Sequence, residues 1–306
     1  MSDAVFLLAH GTPNSVAEIP EYLSRVTGGR PLPREVVEEV SHRFAAIGGS
    51  PLTRLTLQQG RLLQDELGVP VYVGMRNWKP YIADVVHEMR TDEVTRAVVI
   101  CLAPQNSRTS VGLYRRAVFA AAGNALVLHF IDDWAGHPLL ADAFAERLRA
   151  TRDAFAAEIG SAPPVLFTAH SVPVRTVEAA TAGDPPDPYA DHARLTASLV
   201  AERVGLAPTQ WHFAFQSQGM SGGPWLGPTV EDTLTELRRQ GVTNLVLQPI
   251  GFLCDHVEIL YDIDILFRDF AANLGITIRR PPSLNDSRLL TLALADLAGK
   301  ALAQPT

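Results

Sequence analysis

Short apolar runs rich in Val, Ile, Leu and Phe alternate along this chain with longer stretches in which apolar residues recur every third or fourth position. The first pattern suits strands buried on both faces, and the second suits amphipathic helices. Strands are predicted near residues 4–9, 69–75, 96–103 and 125–131, and again near 164–169, 210–216, 244–250 and 275–279. Helices are predicted between them at 33–46, 51–67, 79–90, 109–122 and 138–158, then at 188–204, 228–240, 255–273 and 285–303. Strand and helix in alternation mark βαβ units, so the expected fold class is α/β, with two four-stranded parallel sheets flanked by helices.

Composition supports the division into two. The chain has 306 residues, 47% of them hydrophobic, and a single core usually stops growing beyond roughly 250 residues. The loop-like stretch GSAPP at 160–164 is a better boundary than TAGDPPDPYAD at 181–191. It gives lobes 1–159 and 160–284, with a C-terminal helix at 285–304 expected to pack on the first lobe. The strand ends VFLLAHGTP (5–13) and VLFTAHSVP (165–173) are alike, which suggests duplication of an ancestral half. A formal net charge of −7 and the lack of any Lys/Arg-rich run exclude a basic surface for nucleic acid. Two cysteines, Cys101 and Cys254, are too few for a disulfide scaffold, a Cys-rich zinc site or a cysteine-ligated iron–sulfur cluster. No run reaches the ~18 to 20 apolar residues of a membrane span, and no signal-peptide pattern is present. The expectation is a cytoplasmic enzyme without a transmembrane anchor.

In open α/β sheets, ligands bind beyond the carboxyl ends of the strands. His10 and His170 both stand there, so facing lobes would turn the two imidazoles into one cleft. A lone strand-end histidine is more often structural, and it is the repetition that favours a role. The serine after His170 lacks the G-x-S-x-G frame of a nucleophile elbow. In GFLCDHVEILYDIDILFRDF, residues 251–270, Glu258 and Asp262 are four apart and Asp255 lies one turn earlier, so three carboxylates share a helical stripe. His256 points about 200° from Glu258 unless the helix is distorted, for example by a π-bulge. The rest of that helix is apolar, and buried carboxylates need a partner such as a metal cation. The glycines of SQGMSGGPWLGP, 217–228, match neither a phosphate loop nor a dinucleotide fingerprint, so no nucleotide is expected. That stretch reads instead as a lip over an apolar ligand, anchored by Trp225. Arg43, ahead of a Gly pair, is either a cation on a helix C-terminus or an anion clamp with Ser50 beside it.

Taken together, LLAHGTP, HRFAAIGGSPL, GMRNWKP, APQNSRTSVGLYRRA, FTAHSVP, PWLGP and GFLCDHVEILYDID resemble the ferrochelatases, enzymes that insert ferrous iron into a porphyrin. The matches run in order from residue 5 to about 264. The resemblance implies a chelatase-like fold of two Rossmann-like domains around a porphyrin cleft, and a lyase of haem biosynthesis. It implies Fe2+ as substrate and, without cysteine ligands, no iron–sulfur cluster. Motif by motif, it places the catalytic, metal-binding histidine on His170 and its partner carboxylate on Glu258, with Asp262 as a further metal ligand. The segment GRPLPREVVEEVSHRFAAIGG is most similar to the coproporphyrin III branch. This favours coproporphyrin III over protoporphyrin IX and places porphyrin contacts on His10, Arg43, Phe44, Ser50 and Tyr114. The chain departs from the family pattern at His10, where that branch has tyrosine, and at Thr27, where an arginine is usual. It departs again at Gln105, usually histidine, and at Leu266, usually acidic, which puts a second, outer metal site in question.

Metallation removes two pyrrole protons and delivers a cation. The resemblance therefore implies His170 as base or metal ligand, facing Glu258 and Asp262 on an opposing wall, with cation and protons using opposite sides of the ring. Two other readings stay open: a non-catalytic tetrapyrrole carrier using the same cleft, and a cobalt chelatase of the same fold. The second would act on a more acidic tetrapyrrole and should show more Arg and Lys than the single Arg43 placed here. A two-lobed solute receptor would need an export signal. The expected partners are the porphyrin substrate, the haem-type product and, transiently, neighbouring enzymes of the haem pathway.

Overall fold

The structure is a computed structural model and describes residues 2–179, 181, 183, 185–218 and 222–304. Strand parity organises it. In β1 (Ser2–Ala9), Val5, Leu7 and Ala9 join one apolar cluster while Ala4, Phe6 and Leu8 join another, because successive side chains leave a strand on opposite faces. The first half continues through α1 (Ile19–Val26), α2 (Arg34–Ala46), α3 (Leu52–Leu67), β2 (Val71–Met75), α4 (Ile82–Thr91), β3 (Val94–Cys101), α5 (Val111–Ala122), β4 (Val127–Ile131) and α6 (Pro138–Ile159). The second half holds β5 (Val165–His170), α7 (Val174–Val177), α8 (Tyr189–Val204), β6 (Trp211–Gln216), α9 (Val230–Arg239), β7 (Asn244–Pro249), α10 (Val257–Leu260), a π-helix (Asp262–Phe267), α11 (Arg268–Asn273) and β8 (Thr277–Arg279). The last element is α12 (Arg288–Leu302).

Two four-stranded parallel sheets result, ordered β2-β1-β3-β4 and β6-β5-β7-β8. Each order runs second, first, third, fourth strand of its own half, as a duplicated half requires. The two facing sides share one cluster, to which Val5, Leu7, Val98 and Ile100 contribute from the first sheet and Val165, Phe167 and Val246 from the second. The helices α6, α8 and α12 fill it, and α12 packs on α3, α6 and β3. Hence the halves do not have the two separate cores that size suggests. The alanines at 141, 143 and 145 of α6 let neighbouring elements approach closely, while Phe144, 1% exposed, contributes about 1.5–3 kcal/mol by its burial. The outer faces are covered separately, by α4 and α5 over the first sheet and by α9 with the segment 259–271 over the second.

Three elements differ from the sequence pattern, one of them the four-residue α7 after Pro173, where no helix was expected. The helix α1 was not expected: IPEYLSRV is short, carries Pro20 in its first turn, and buries only Ile19, Tyr22 and Leu23. The expected continuous helix 255–273 is broken into α10, the π-helix and α11. His256 precedes α10 in an extended conformation, φ −162°, ψ −175°. Asp255 therefore leaves the carboxylate stripe. It is held by Ser283 at 2.7 Å, Asn285 at 2.8 Å and Arg280 at 3.4 Å. Among the described residues, no helix is long and apolar enough to cross a membrane.

Candidate active site

β5 and β7 are neighbours, so the segments leaving their carboxyl ends meet. His170 is the last residue of β5, and Glu258 lies in the first turn of α10, shortly after β7. The junction is tight at Gly251, where an added Cβ would stand 3.2 Å from that of Ala169. His170 Nε2 consequently lies 3.6 Å from Glu258 Oε1, and His256 Nε2 lies 3.7 Å from Glu258 Oε2. Both imidazoles are held from behind. The Nδ1–H of His170 donates to the Ser171 carbonyl, and that of His256 donates to the Cys254 carbonyl at 2.9 Å. These bonds fix Nδ1 as protonated, so each Nε2 can donate to the carboxylate only in the imidazolium form. The Tyr189 hydroxyl donates to the His170 carbonyl at 2.7 Å, and Gln216 Nε2 donates to the Glu258 carbonyl at 3.2 Å.

This packing sets the charge states. Burial works to lower the His170 pKa, but the charge and hydrogen bond of Glu258, with help from the Ser171 carbonyl, leave it raised. Burial works to raise Glu258, yet His170 and His256 hold it well below the usual carboxylate range. Proton and carboxylate thus stabilise each other. Across the cleft His10 is pushed down to about 4, first by burial and then by the Arg76 charge, so it is neutral. Its Nε2 is engaged with the Tyr22 hydroxyl at 2.9 Å.

The cleft between the sheets' carboxyl edges encloses about 380 Å3, within the usual range for ligand pockets. Of the sequence-predicted residues, His10, Tyr114, His170 and Glu258 line it, as does the lip anchor Trp225. The tip of that lip, 219–221, lies outside the described residues. Arg43, Phe44, Ser50 and Asp262 are not among the lining residues. Arg43 is paired with Glu39 at 2.8 Å and Asp262 at 3.4 Å. Phe44 is 1% exposed and packs with Ile19, Tyr22, Leu23 and Trp78. Ser50 accepts a hydrogen bond from Thr12 at 2.9 Å. Asp262 accepts one from Ser217 at 2.6 Å, and its pKa is raised by burial, with the Glu258 charge adding to it.

One expectation needs correcting. His170 and Glu258 do not face each other across a gap, because both belong to the carboxyl edge of the second sheet and stand on one wall. The opposite wall carries His10, Tyr22, Arg76 and Tyr114. Arg76, within GMRNWKP, lines the cleft together with Tyr22 and Tyr189, three residues that no residue-type pattern in the sequence marks.

The match to known proteins covers nearly the whole chain. The family model described as Ferrochelatase matches residues 2–302. The chain belongs to the ferrochelatase family. It is accordingly an enzyme, a porphyrin metal chelatase. It is 68% identical to a protein named Ferrochelatase from Acidobacterium capsulatum, over 98% of this chain and 94% of that one. To a Coproporphyrin III ferrochelatase from Geobacillus thermodenitrificans it is 34% identical, over 98% and 96% of the two chains. Among solved structures, SirB from Bacillus subtilis with Fe3+ superposes with a TM-score of 0.60 at 12% identity, covering 99% of this chain and 96% of that one. That likeness supports the chelatase fold alone. Among the described residues, no three His, Cys, Asp or Glu side chains are gathered closely enough to hold a metal ion. In this ferrochelatase-family chain, His170, Glu258 and His256 sit at ion-pair spacing.

Proposed function

We propose that this enzyme inserts Fe2+ into coproporphyrin III in haem biosynthesis, with His170 as proton acceptor and metal ligand and Glu258 as the first ligand of the incoming cation. The observation that carries the reading is the 3.6 Å approach of His170 Nε2 to Glu258 Oε1 on the wall of an apolar cleft. In the resting site Glu258 holds a proton on His170. A divalent cation arriving at Glu258 replaces that proton: it takes the carboxylate, the imidazolium proton leaves to solvent, and Nε2 regains its lone pair. The freed base accepts a pyrrole proton, and the electron pair of the broken N–H bond stays on nitrogen for the metal. The imidazolium passes that proton to solvent and the base repeats the step, so that two removals leave a macrocyclic dianion that binds Fe2+ and charge balances. Base and carboxylate share a wall, and this favours one face of the ring for both cation and protons. Asp262, tied to Ser217 and Arg43, stands behind Glu258 as an outer oxygen on the cation's approach.

Preference for coproporphyrin III is supported by the segment around Arg43 and by the similarity to a relative named for that substrate. The reaction is expected in the cytoplasm, and residues 1–159 with α12 are taken as one lobe against 160–284. The test is anaerobic insertion followed by visible spectra. The wild type should convert coproporphyrin III with higher kcat/KM than protoporphyrin IX, and His170→Ala should lose about 10²–10⁴-fold in rate while still binding porphyrin. Full activity in that variant would refute the assignment. A protein that binds porphyrin without consuming Fe2+ would be a carrier.

A further inference from the structure

Arg76 occupies an unusual electrostatic position. It follows β2 directly, and its backbone N–H donates to the Ala9 carbonyl at 3.0 Å, while that of Asn77 donates to the His10 carbonyl at 2.9 Å. The residue is therefore fixed against the end of β1. Its side chain lines the cleft, with Cζ 5.4 Å from the Tyr114 ring centre. Among the described residues it pairs with no carboxylate, and its Nε is buried without a hydrogen-bond partner. Of the other part-buried arginines, Arg96 is bonded to Asp3 at 2.5 Å and Arg280 to Asp264 at 2.7 Å, while Arg147, whose Nε is also buried without a partner, does not line this cleft.

Nothing beside Arg76 supplies a negative charge. The Tyr22 and Tyr114 phenols are pushed up by burial, and His10 is neutral. Glu258, on the other wall, is already taken by two imidazoles. A desolvated cation with an unmade hydrogen bond is costly to maintain, and a carboxylate brought in by a ligand would relieve that cost. Arg43, the cation expected to serve this purpose, is occupied by Glu39 and Asp262.

We propose that Arg76 is a carboxylate receptor of the cleft: its guanidinium takes one propionate of the tetrapyrrole and so fixes how the ring is turned between the walls. The planar fork of Arg matches a carboxylate through two parallel charge-assisted hydrogen bonds. This rests on the porphyrin reading above and adds the group that selects substrates by the placement of their acid side chains. The ring then presents one defined pyrrole pair to His170, where a freely rotating ring would not.

The test is iron-free binding. The full chain is titrated by fluorescence with coproporphyrin III and with etioporphyrin III, in which each propionate is an ethyl group, in the same detergent. Arg76→Gln should weaken coproporphyrin III binding about 10- to 100-fold and leave etioporphyrin binding nearly unchanged, while Arg76→Lys should restore part of the loss. Equal weakening of both ligands, or of neither, overturns the proposal. Because no metal is present, failure of the insertion chemistry shows separately, as a wild type that binds in an Arg76-dependent way yet forms no metalloporphyrin.

Discussion

Replacing Glu258 by glutamine keeps the shape of the side chain and removes the charge between two imidazoles. At 3.6 Å and an effective dielectric of about 20, the attraction between the His170 imidazolium and the Glu258 carboxylate is about 5 kcal/mol. Desolvation of both partners offsets most of it, and the side chains are 29% and 33% exposed, so the net contribution to stability is about 1–2 kcal/mol. The sign of its pH dependence follows from the two shifts. His170 is raised, because Glu258 more than offsets burial, so its share is full below the ordinary 6.5 and fades as pH rises through the folded value. Glu258 is lowered, because His170 and His256 override burial, so its share is present above the ordinary 4.5 and fades as pH falls through the folded value. Both are full between 4.5 and 6.5. Urea unfolding of wild type and Glu258→Gln should therefore differ by about 1–2 kcal/mol near pH 5.5. Near pH 9.5 the difference should vanish or reverse, since a neutral His170 leaves the carboxylate desolvated without a cation. A difference of equal size at both pH values would refute the pairing.

Cation binding should show the same linkage from the other side. Co2+ added without porphyrin near pH 6 should release about one proton, measured by calorimetry in two buffers of different ionisation enthalpy; no release would mean that His170 keeps its proton beside the metal. Gly11→Ala tests the end of β1: φ is +75° and an added Cβ would lie 2.7 Å from that of Met75, so stability should fall by about 1–3 kcal/mol, read as a lower urea midpoint. An unchanged midpoint would show that the strand end yields without cost.

Strand parity made both sheets legible, since a period of two sorts Val5, Leu7 and Ala9 from Ala4, Phe6 and Leu8 without reference to the rest of the chain. The rule that ligands gather at carboxyl ends then put His10 and His170 in one cleft. It could not tell which loop would meet which, and that is why Glu258 was expected on the wall opposite His170. Helical arithmetic showed that His256 and Glu258 could share a site only if the helix were irregular. The irregularity that joins them is the extended His256, outside the helix and held by the Cys254 carbonyl. The misplacement of Phe44 has the same origin as the missed α1, for that short helix brings Tyr22 to the cleft and leaves Phe44 behind it, 6.3 Å from the phenol ring. Arg76 was the hardest to see. Whether an arginine finds a carboxylate depends on partners far away in the chain, as Arg43 does with Asp262 and Arg76 does not. A missing partner has no local pattern, and only the folded chain shows which charge has been left for a ligand to neutralise.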